Sequence, residues 1–408
     1  MIDALNHMRK IKQLLSKTIN IFVPKNKNKI YARPMWNTYQ DKYDLLNYGS
    51  SNLLTVVNDL INNKCQNDIH ICIEYHDENR ISDYRELVSI ARNNGIELTL
   101  LRDWKTEKNA LRRFFTRFSN LIERFSSIVW LTESGGLYGK LPCQKIVCCN
   151  YYISCKNDFF VGEEHSWERL DALITTALLP SNIVSSHLGV RLDKCISIGF
   201  PRNDTLMKSQ RKSSVRDWIA KQVGYIPSFI FVYAPTVRDD EREKEEERPL
   251  FGYRCDGLKQ FLKDNKAVII YKLHAYQNSE VLKDYNVFLK YPYTYDFSFY
   301  DLLSVADCLI GDYSSVNFDW LLLDKPIIFN IFDIENFNKV RGLAYDPYSF
   351  FCPGLVANNW VDLRNAMTNV IRHIDCYSQQ RDIVRQLLFK YSDFNATKRV
   401  ANYILGLL

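Results

Sequence analysis

The sequence predicts an α/β protein made of two consecutive sets of parallel strands, and three observations carry that expectation. Short apolar runs rich in β-branched residues recur along the chain and are near-continuous rather than alternating, the pattern of strands buried on both faces. Helical stretches lie between them, with Leu45 to Leu60 and Asp83 to Ala91 as candidate crossover helices. The length of 408 residues suffices for two or three domains that each bury a core. The first strands are expected at Ile71 to Tyr75, Ile96 to Leu101, Ile128 to Thr132, Lys145 to Cys149, Ala172 to Thr175 and Ile196 to Phe200. The second set is expected at Phe229 to Tyr233, Ala267 to Leu273, Val287 to Tyr291, Cys308 to Ile310, Ile327 to Asn330 and Leu355 to Ala357. A hinge between Thr205 and Ser228 divides the chain into a basic segment 1–29, an α/β domain 30–204 and an α/β domain 205–408.

In residues 1–23, Leu5, Met8, Leu15, Ile19 and Phe22 recur at helical spacing with cations between them, and Pro24 is a stop. Residues 1–30 hold seven Lys and Arg against Asp3, which equals the whole chain's net charge of +6. Two readings stand side by side: a basic amphipathic helix lying in an anionic membrane surface, or a helix docked on its own domain. The remaining residues balance in charge, so no nucleic-acid partner is expected. No apolar run reaches the ~20 residues of a membrane span and no signal peptide is visible, which predicts a cytoplasmic or peripheral protein. The eleven cysteines lack zinc-like CxxC pairs; they read as free, buried thiols of a reducing compartment, with no metal site. No G-x-G-x-x-G fingerprint occurs, which argues against NAD or FAD, and no other cofactor is firmly implied.

The most informative stretch is Asp307 to Asn330, DCLIGDYSSVNFDWLLLDKPIIFN, which reads as strand, turn, helix and strand. Gly311 frees the turn, and Asp312, Ser314 and Ser315 stand where they would cap the helix carrying Phe318, Trp320, Leu321 and Leu322. Free N–H groups at such a turn suit an anion. Taken alone, serines there are ordinary capping residues.

The stretch resembles the CDP-glycerol glycerophosphotransferase family, the teichoic-acid-type polymerases and primases. The resemblance rests on Asp312, Tyr313, Ser314, Ser315, Phe318, Asp319, Trp320 and Lys325 to Phe329 in that order and spacing. It continues through Arg341-Gly342-Leu343, Pro353-Gly354, Tyr233 to Asp239, and Pro201-Arg202-Asn203-Asp204 at the family's interdomain junction. It implies a GT-B-like architecture, two Rossmann-like domains facing a central cleft, with the acceptor on 30–204 and the CDP donor on 205–408. It also implies transfer of a glycerol- or ribitol-type polyol phosphate from a CDP-polyol to a hydroxyl of a surface glycan or lipid-linked acceptor, with CMP released. Peripheral attachment at the inner face of the cell membrane follows from the same resemblance and favours the membrane reading of residues 1–23.

On that footing Asp312, Ser314, Ser315 and Arg238 would hold the diphosphate, the last through its planar donor fork. Without the resemblance Arg238 reads as a surface ion pair with Asp239 or Asp240. Asp319 would accept from polyol hydroxyls, and Arg341 would mark the base-binding end. His274, in Lys272-Leu273-His274, matches a family His and would contact phosphate or move a proton. One departure stands out: the family places His-Gly-Thr-Pro-Leu-Lys after a strand beginning Gln-Lys, and counting from Gln144 puts Tyr151 at the His and Lys156 at the Lys. A phenol with a pKa near ~10 is a poor base at neutral pH. Tyr151 would therefore position the acceptor and Lys156 neutralise phosphate, with His165 or Glu133 as alternative bases. The charged run Asp239 to Arg248 reads as a solvated loop or a lid. A GT-B glycosyltransferase using a nucleotide sugar in surface polysaccharide synthesis is the alternative enzyme, and a catalytically silent assembly protein the non-enzymatic one.

Overall fold

A computed structural model describes residues 13–34, 51–62, 69–75, 88–102, 107–135, 137–150, 152–157, 167–236, 238, 251–272, 288–290 and 297–408. Tyr151, His165, His274 and the run Asp239 to Arg248 lie outside the described residues. Two wholly parallel sheets form among those described. The first runs in the order β3-β2-β1-β4-β5-β6-β7, and the second β10-β9-β8-β11-β12-β13. Each is a doubly wound order that reverses direction once, between β1 and β4 and between β8 and β11.

The first sheet comprises β1 (Asn26–Arg33), β2 (His70–Tyr75), β3 (Glu97–Arg102), β4 (Ser127–Thr132), β5 (Lys145–Cys148), β6 (Ala172–Thr175) and β7 (Cys195–Ser197). The second comprises β8 (Phe229–Ala234), β9 (Ala267–Tyr271), β10 (Phe288–Lys290), β11 (Cys308–Gly311), β12 (Ile327–Asn330) and β13 (Leu355–Ala357). β8, β9, β11 and β12 are buried throughout, as continuous apolar runs require when helices cover both faces.

Three expectations are corrected. β1, central in its sheet, starts at Asn26, inside the segment 1–29 expected to stand apart; its polar opening Asn-Lys-Asn-Lys hides the strand, and only Ile30 to Ala32 carry the apolar signal. The span expected as a hinge is helical instead, Asp204–Lys208 and then Lys212–Val223, the latter burying Val215 and Ile219. The helices Ser378–Leu388 and Ala396–Leu405 return to the first half: one packs on Leu178–Leu188, the other on Asn52–Asn62 and Pro201–Asn203. Asp204 holds the start of that last helix, its carboxylate accepting from Ala396 N (3.0 Å) and Thr397 N (2.9 Å). The boundary at 204/205 thus does not separate the contacts of the two halves.

At the N-terminus a helix spans 13–21. Asn20, fully buried, donates to Gly139 O (2.6 Å) and Gln144 Oε1 (2.7 Å), and Val23 joins the core, so this segment is docked on its own unit. Leu14, Leu15, Ile21 and Phe22 remain exposed. Among the described residues no helix is long and apolar enough to cross a membrane.

Candidate functional site

Ligands of doubly wound sheets sit beyond the carboxyl ends of the strands, where strand order reverses. In the second sheet that point lies between the ends of β8 and β11, and the turn Asp312 to Ser315 occupies it. Gly311 is dictated by close approach: a Cβ there would meet Asn317 Oδ1 at 1.9 Å. Asp312 is buried and its carboxylate crosses the switch point, accepting from Thr236 N (3.0 Å), Thr236 Oγ1 (2.8 Å) and Arg238 Nη1 (2.8 Å). Its carbonyl accepts from Tyr348 Oη and Asn317 Nδ2, both at 2.8 Å.

Arg238, expected to face the donor, is instead buried between two carboxylates. Nε and Nη2 donate to Asp333 (2.7 and 3.0 Å), and Nη1 donates to Asp312 and to Thr236 O (2.7 Å). Burial by itself lowers a guanidinium pKa, but Asp312 and Asp333 outweigh it and raise that of Arg238. The sequence offered Asp239 and Asp240 as partners; Asp333 lies 95 positions away and gives no local signal.

Ser314 and Ser315 also differ from the capping expectation. The helix they precede is short, Val316–Trp320 followed by a 3₁₀ turn Leu321–Leu323, and Ser315 makes no side-chain cap. Both serines are half-buried, and among the described residues neither hydroxyl has a hydrogen-bond partner.

Asp319 is fully buried, and its Oδ2 accepts from Arg202 Nη2 (2.7 Å) and from the Tyr300 hydroxyl. This ties the junction motif Pro201-Arg202-Asn203 to the second unit, so Asp319 serves an internal network rather than facing a polyol. Burial pulls the Arg202 pKa down, and Asp319 more than restores it. Beside it, the Lys272 ammonium lies 5.0 Å from the Phe299 ring centroid; burial first, then the Arg202 charge, lowers its pKa to about 8. Lys272 was read only as part of a motif; that position makes it a titratable cation next to the junction.

The first unit contributes Glu133 and Lys156. Glu133 directly follows β4 and accepts from Ser51 Oγ (2.6 Å) and Leu53 N (3.2 Å), holding the start of the Asn52–Asn62 helix. Lys156 pairs antiparallel with Leu343, flanked by Asn157 N to Gly342 O (3.1 Å) and Ala344 N to Cys155 O (3.1 Å). Cys155 Sγ donates to Tyr313 O at 2.7 Å. Lys156 and Arg341, 185 positions apart in sequence, are thereby brought beside the same turn; Gly342 is needed there, with φ +79° and Asn157 packed where a Cβ would be.

Away from this region, His70, Cys72 and Glu123 bring ligand-type atoms within 4.8 Å of one another, and the Lys29 ammonium, ion-paired to Glu123, supplies the positive charge among them.

The sequence pattern of the CDP-glycerol:poly(glycerophosphate) glycerophosphotransferase family matches residues 157–406. The chain is 28% identical over 250 residues to a teichoic acid glycerol-phosphate transferase of Staphylococcus aureus, a match covering 60% of this chain and 62% of that one. It is 29% identical over 236 residues to a teichoic acid glycerol-phosphate primase of Bacillus subtilis, covering 56% of this chain and 55% of the primase. These matches span little more than half of each relative's length. Among solved structures, a variant of the wall teichoic acid polymerase TagF soaked with CDPG has TM-score 0.71 at 17% identity, over 98% of this chain and 96% of that one. A UDP-GlcNAc 2-epimerase from Neisseria meningitidis shares the fold more loosely, with TM-score 0.52 at 12% identity over 93% and 99%. The chain belongs to the CDP-glycerol:poly(glycerophosphate) glycerophosphotransferase family.

Proposed function

We propose that this protein transfers a polyol phosphate, of the glycerol or ribitol type, from a CDP-activated donor to a hydroxyl of a surface glycan or lipid-linked acceptor. The carrying observation is the turn Asp312 to Ser315, fixed at the switch point with two serine hydroxyls unengaged. The two sheets then face a central cleft in the GT-B manner, donor on the second and acceptor on the first. The acceptor oxygen attacks the β-phosphorus, the bond to the bridging oxygen breaks, and CMP leaves with that oxygen. The work is positioning and charge stabilisation. Ser314, Ser315 and the turn amides hold the diphosphate, Lys156 adds charge from the acceptor side, and His274 takes the acceptor's proton while Tyr151 orients the hydroxyl. Arg341 closes the base end.

The site works at an anionic membrane surface on the cytoplasmic side. Support comes from two exposed apolar faces, that of the 13–21 helix and that of the Ala110–Ser126 helix. The second carries Leu111, Phe114, Phe115 and Phe118, with Arg112, Arg113 and Arg117 interleaved, while its far end is moored by Glu123 to Lys29 and by Asn120 to Arg102 O (2.8 Å). Aromatic insertion with Arg at the phosphate level is the chemistry of an interfacial helix.

Incubation with CDP-glycerol or CDP-ribitol and a soluble acceptor tests the reaction. Stoichiometric CMP is the expected product. Release of a nucleoside diphosphate from a nucleotide sugar, with none from the CDP-polyols, would favour the glycosyltransferase. Flotation with anionic and zwitterionic vesicles tests the surface: Phe114→Ser with Phe118→Ser is expected to lose anionic-vesicle binding, and unchanged flotation would remove the membrane assignment.

A further inference from the structure

We propose that Asp333 is a positioning residue for donor binding, acting through Arg238 and Tyr313 on the turn Asp312 to Ser315 and not on the ligand; this rests on the donor-site reading above. Asp333 comes three positions after β12, the strand paired with β11, and so stands beside the turn that leaves β11. Its Oδ2 accepts from Arg238 Nε at 2.7 Å; its Oδ1 accepts from Arg238 Nη2 and from the Tyr313 hydroxyl, both at 3.0 Å. One carboxylate therefore grips two neighbours of Asp312: the cation that neutralises it and the residue that follows it.

Tyr313 is the part of the turn that these contacts immobilise. Its ring stacks on Phe337 at a centroid distance of 3.9 Å and 18°, and Arg238 lies 4.9 Å from the same ring. Its hydroxyl is held by Asp333 and its carbonyl by Cys155. Since Tyr313 lies between Asp312 and Ser314, fixing it at ring, hydroxyl and carbonyl fixes where the next two residues present their amides and hydroxyls. An arginine is required in the middle because only a planar fork satisfies two carboxylates at once, each through its own edge. With Asp333 neutralised, Arg238 keeps Asp312 and Thr236 O but loses its second charged partner, and the Tyr313 hydroxyl loses a charged acceptor, so the turn relaxes by a fraction of an ångström. Displacements of that size are enough to cost binding and rate at a positioned site.

The test is a double-mutant cycle on the full chain. Donor Kd is measured by calorimetry, and donor KM and kcat by CMP release, for the parent, Asp333→Asn, Ser314→Ala with Ser315→Ala, and all three together. Asp333→Asn is expected to raise donor Kd and KM about tenfold while kcat at saturating donor stays within about threefold, and its effect is expected to shrink to under about twofold in the serine-less background. Loss of folded protein alone would lower kcat and leave KM unchanged; that result, or full additivity with the serine pair, overturns the proposal. Tyr313→Phe keeps the ring and removes only the hydroxyl. It is expected to raise KM in the same direction by a smaller factor and decides the matter if Asp333→Asn does not fold, with an unchanged KM overturning the proposal. A serine pair that leaves Kd untouched while Asp333→Asn raises it would sink the donor-site reading and the proposed route together. A normal Kd in Asp333→Asn with a raised Kd in the serine pair would sink only the role of Asp333.

Discussion

Asp312 and Glu133 occupy equivalent places in the two sheets, each one residue beyond the strand on the far side of the switch point, β11 and β4. Both carboxylates reach across the reversal to an element that follows the neighbouring strand: Asp312 to Thr236, Glu133 to Ser51 and Leu53. The difference lies in what balances them. Asp312 is clamped by Arg238, which a second carboxylate holds from the other side, whereas Glu133 accepts from the start of a helix and lies near the junction arginine Arg202. The second unit therefore carries a charge-locked turn at its switch point. The first reaches that turn through Cys155 Sγ, which donates to Tyr313 O.

The largest effect is expected where that lock is broken. Arg238→Ala strands the buried Asp312 and the half-buried Asp333 and should lower stability by about 3–5 kcal/mol, against about 1–3 kcal/mol for Glu133→Ala, which loses the hydrogen bonds from Ser51 and Leu53. Urea unfolding with unchanged m-values measures both; equal losses would mean that the two switch points are locked alike.

The paired serines come next. Ser314→Ala with Ser315→Ala is expected to weaken CDP-glycerol binding about tenfold, or ~1.4 kcal/mol. It should move stability by no more than about 0.5 kcal/mol, since neither hydroxyl caps the helix. Calorimetry and thermal melts read the two quantities separately.

Lys272 gives the smallest effect and a sign that runs both ways. Its pKa is lowered by burial from 10.5 to about 8, so between these values the unfolded chain holds the proton that the folded chain has lost. Its contribution to stability therefore rises with pH across that window. Affinity for the anionic donor should fall around pH 8, where the folded chain loses the ammonium. Donor titrations at pH 7 and pH 9 in parent and Lys272→Met check this: the parent should weaken with pH, and the variant should show a flat profile.

Much of the second unit was legible because its signals are local. The strands around Asp307 to Asn330 are short buried runs, and the turn needs Gly311 and its serines next to one another. What escaped was what distance in sequence hides. Arg238 was read against its neighbours Asp239 and Asp240, yet its partners come from strands brought together by the sheet order, 74 and 95 positions on. Asp319 was read as an acceptor for polyol hydroxyls but meets Arg202, 117 positions earlier. β1 was missed because half of it is polar. The N-terminal helix was weighed between membrane and domain, and the structure shows it docked on its own unit through the buried Asn20.

The return of the Ala396–Leu405 helix to the Asn52–Asn62 helix sets an order of completion during synthesis. The Asn52–Asn62 helix emerges early, but Val400, Ala401 and Ile404, which join its core cluster, are translated roughly 340 residues later. At about 5–20 residues per second that is a wait of roughly 15–70 s. Once β7 is made the first sheet has its strands and still lacks part of its cover, so a chain halted between residues 197 and 396 would leave an apolar seam open for chaperones or for other nascent chains.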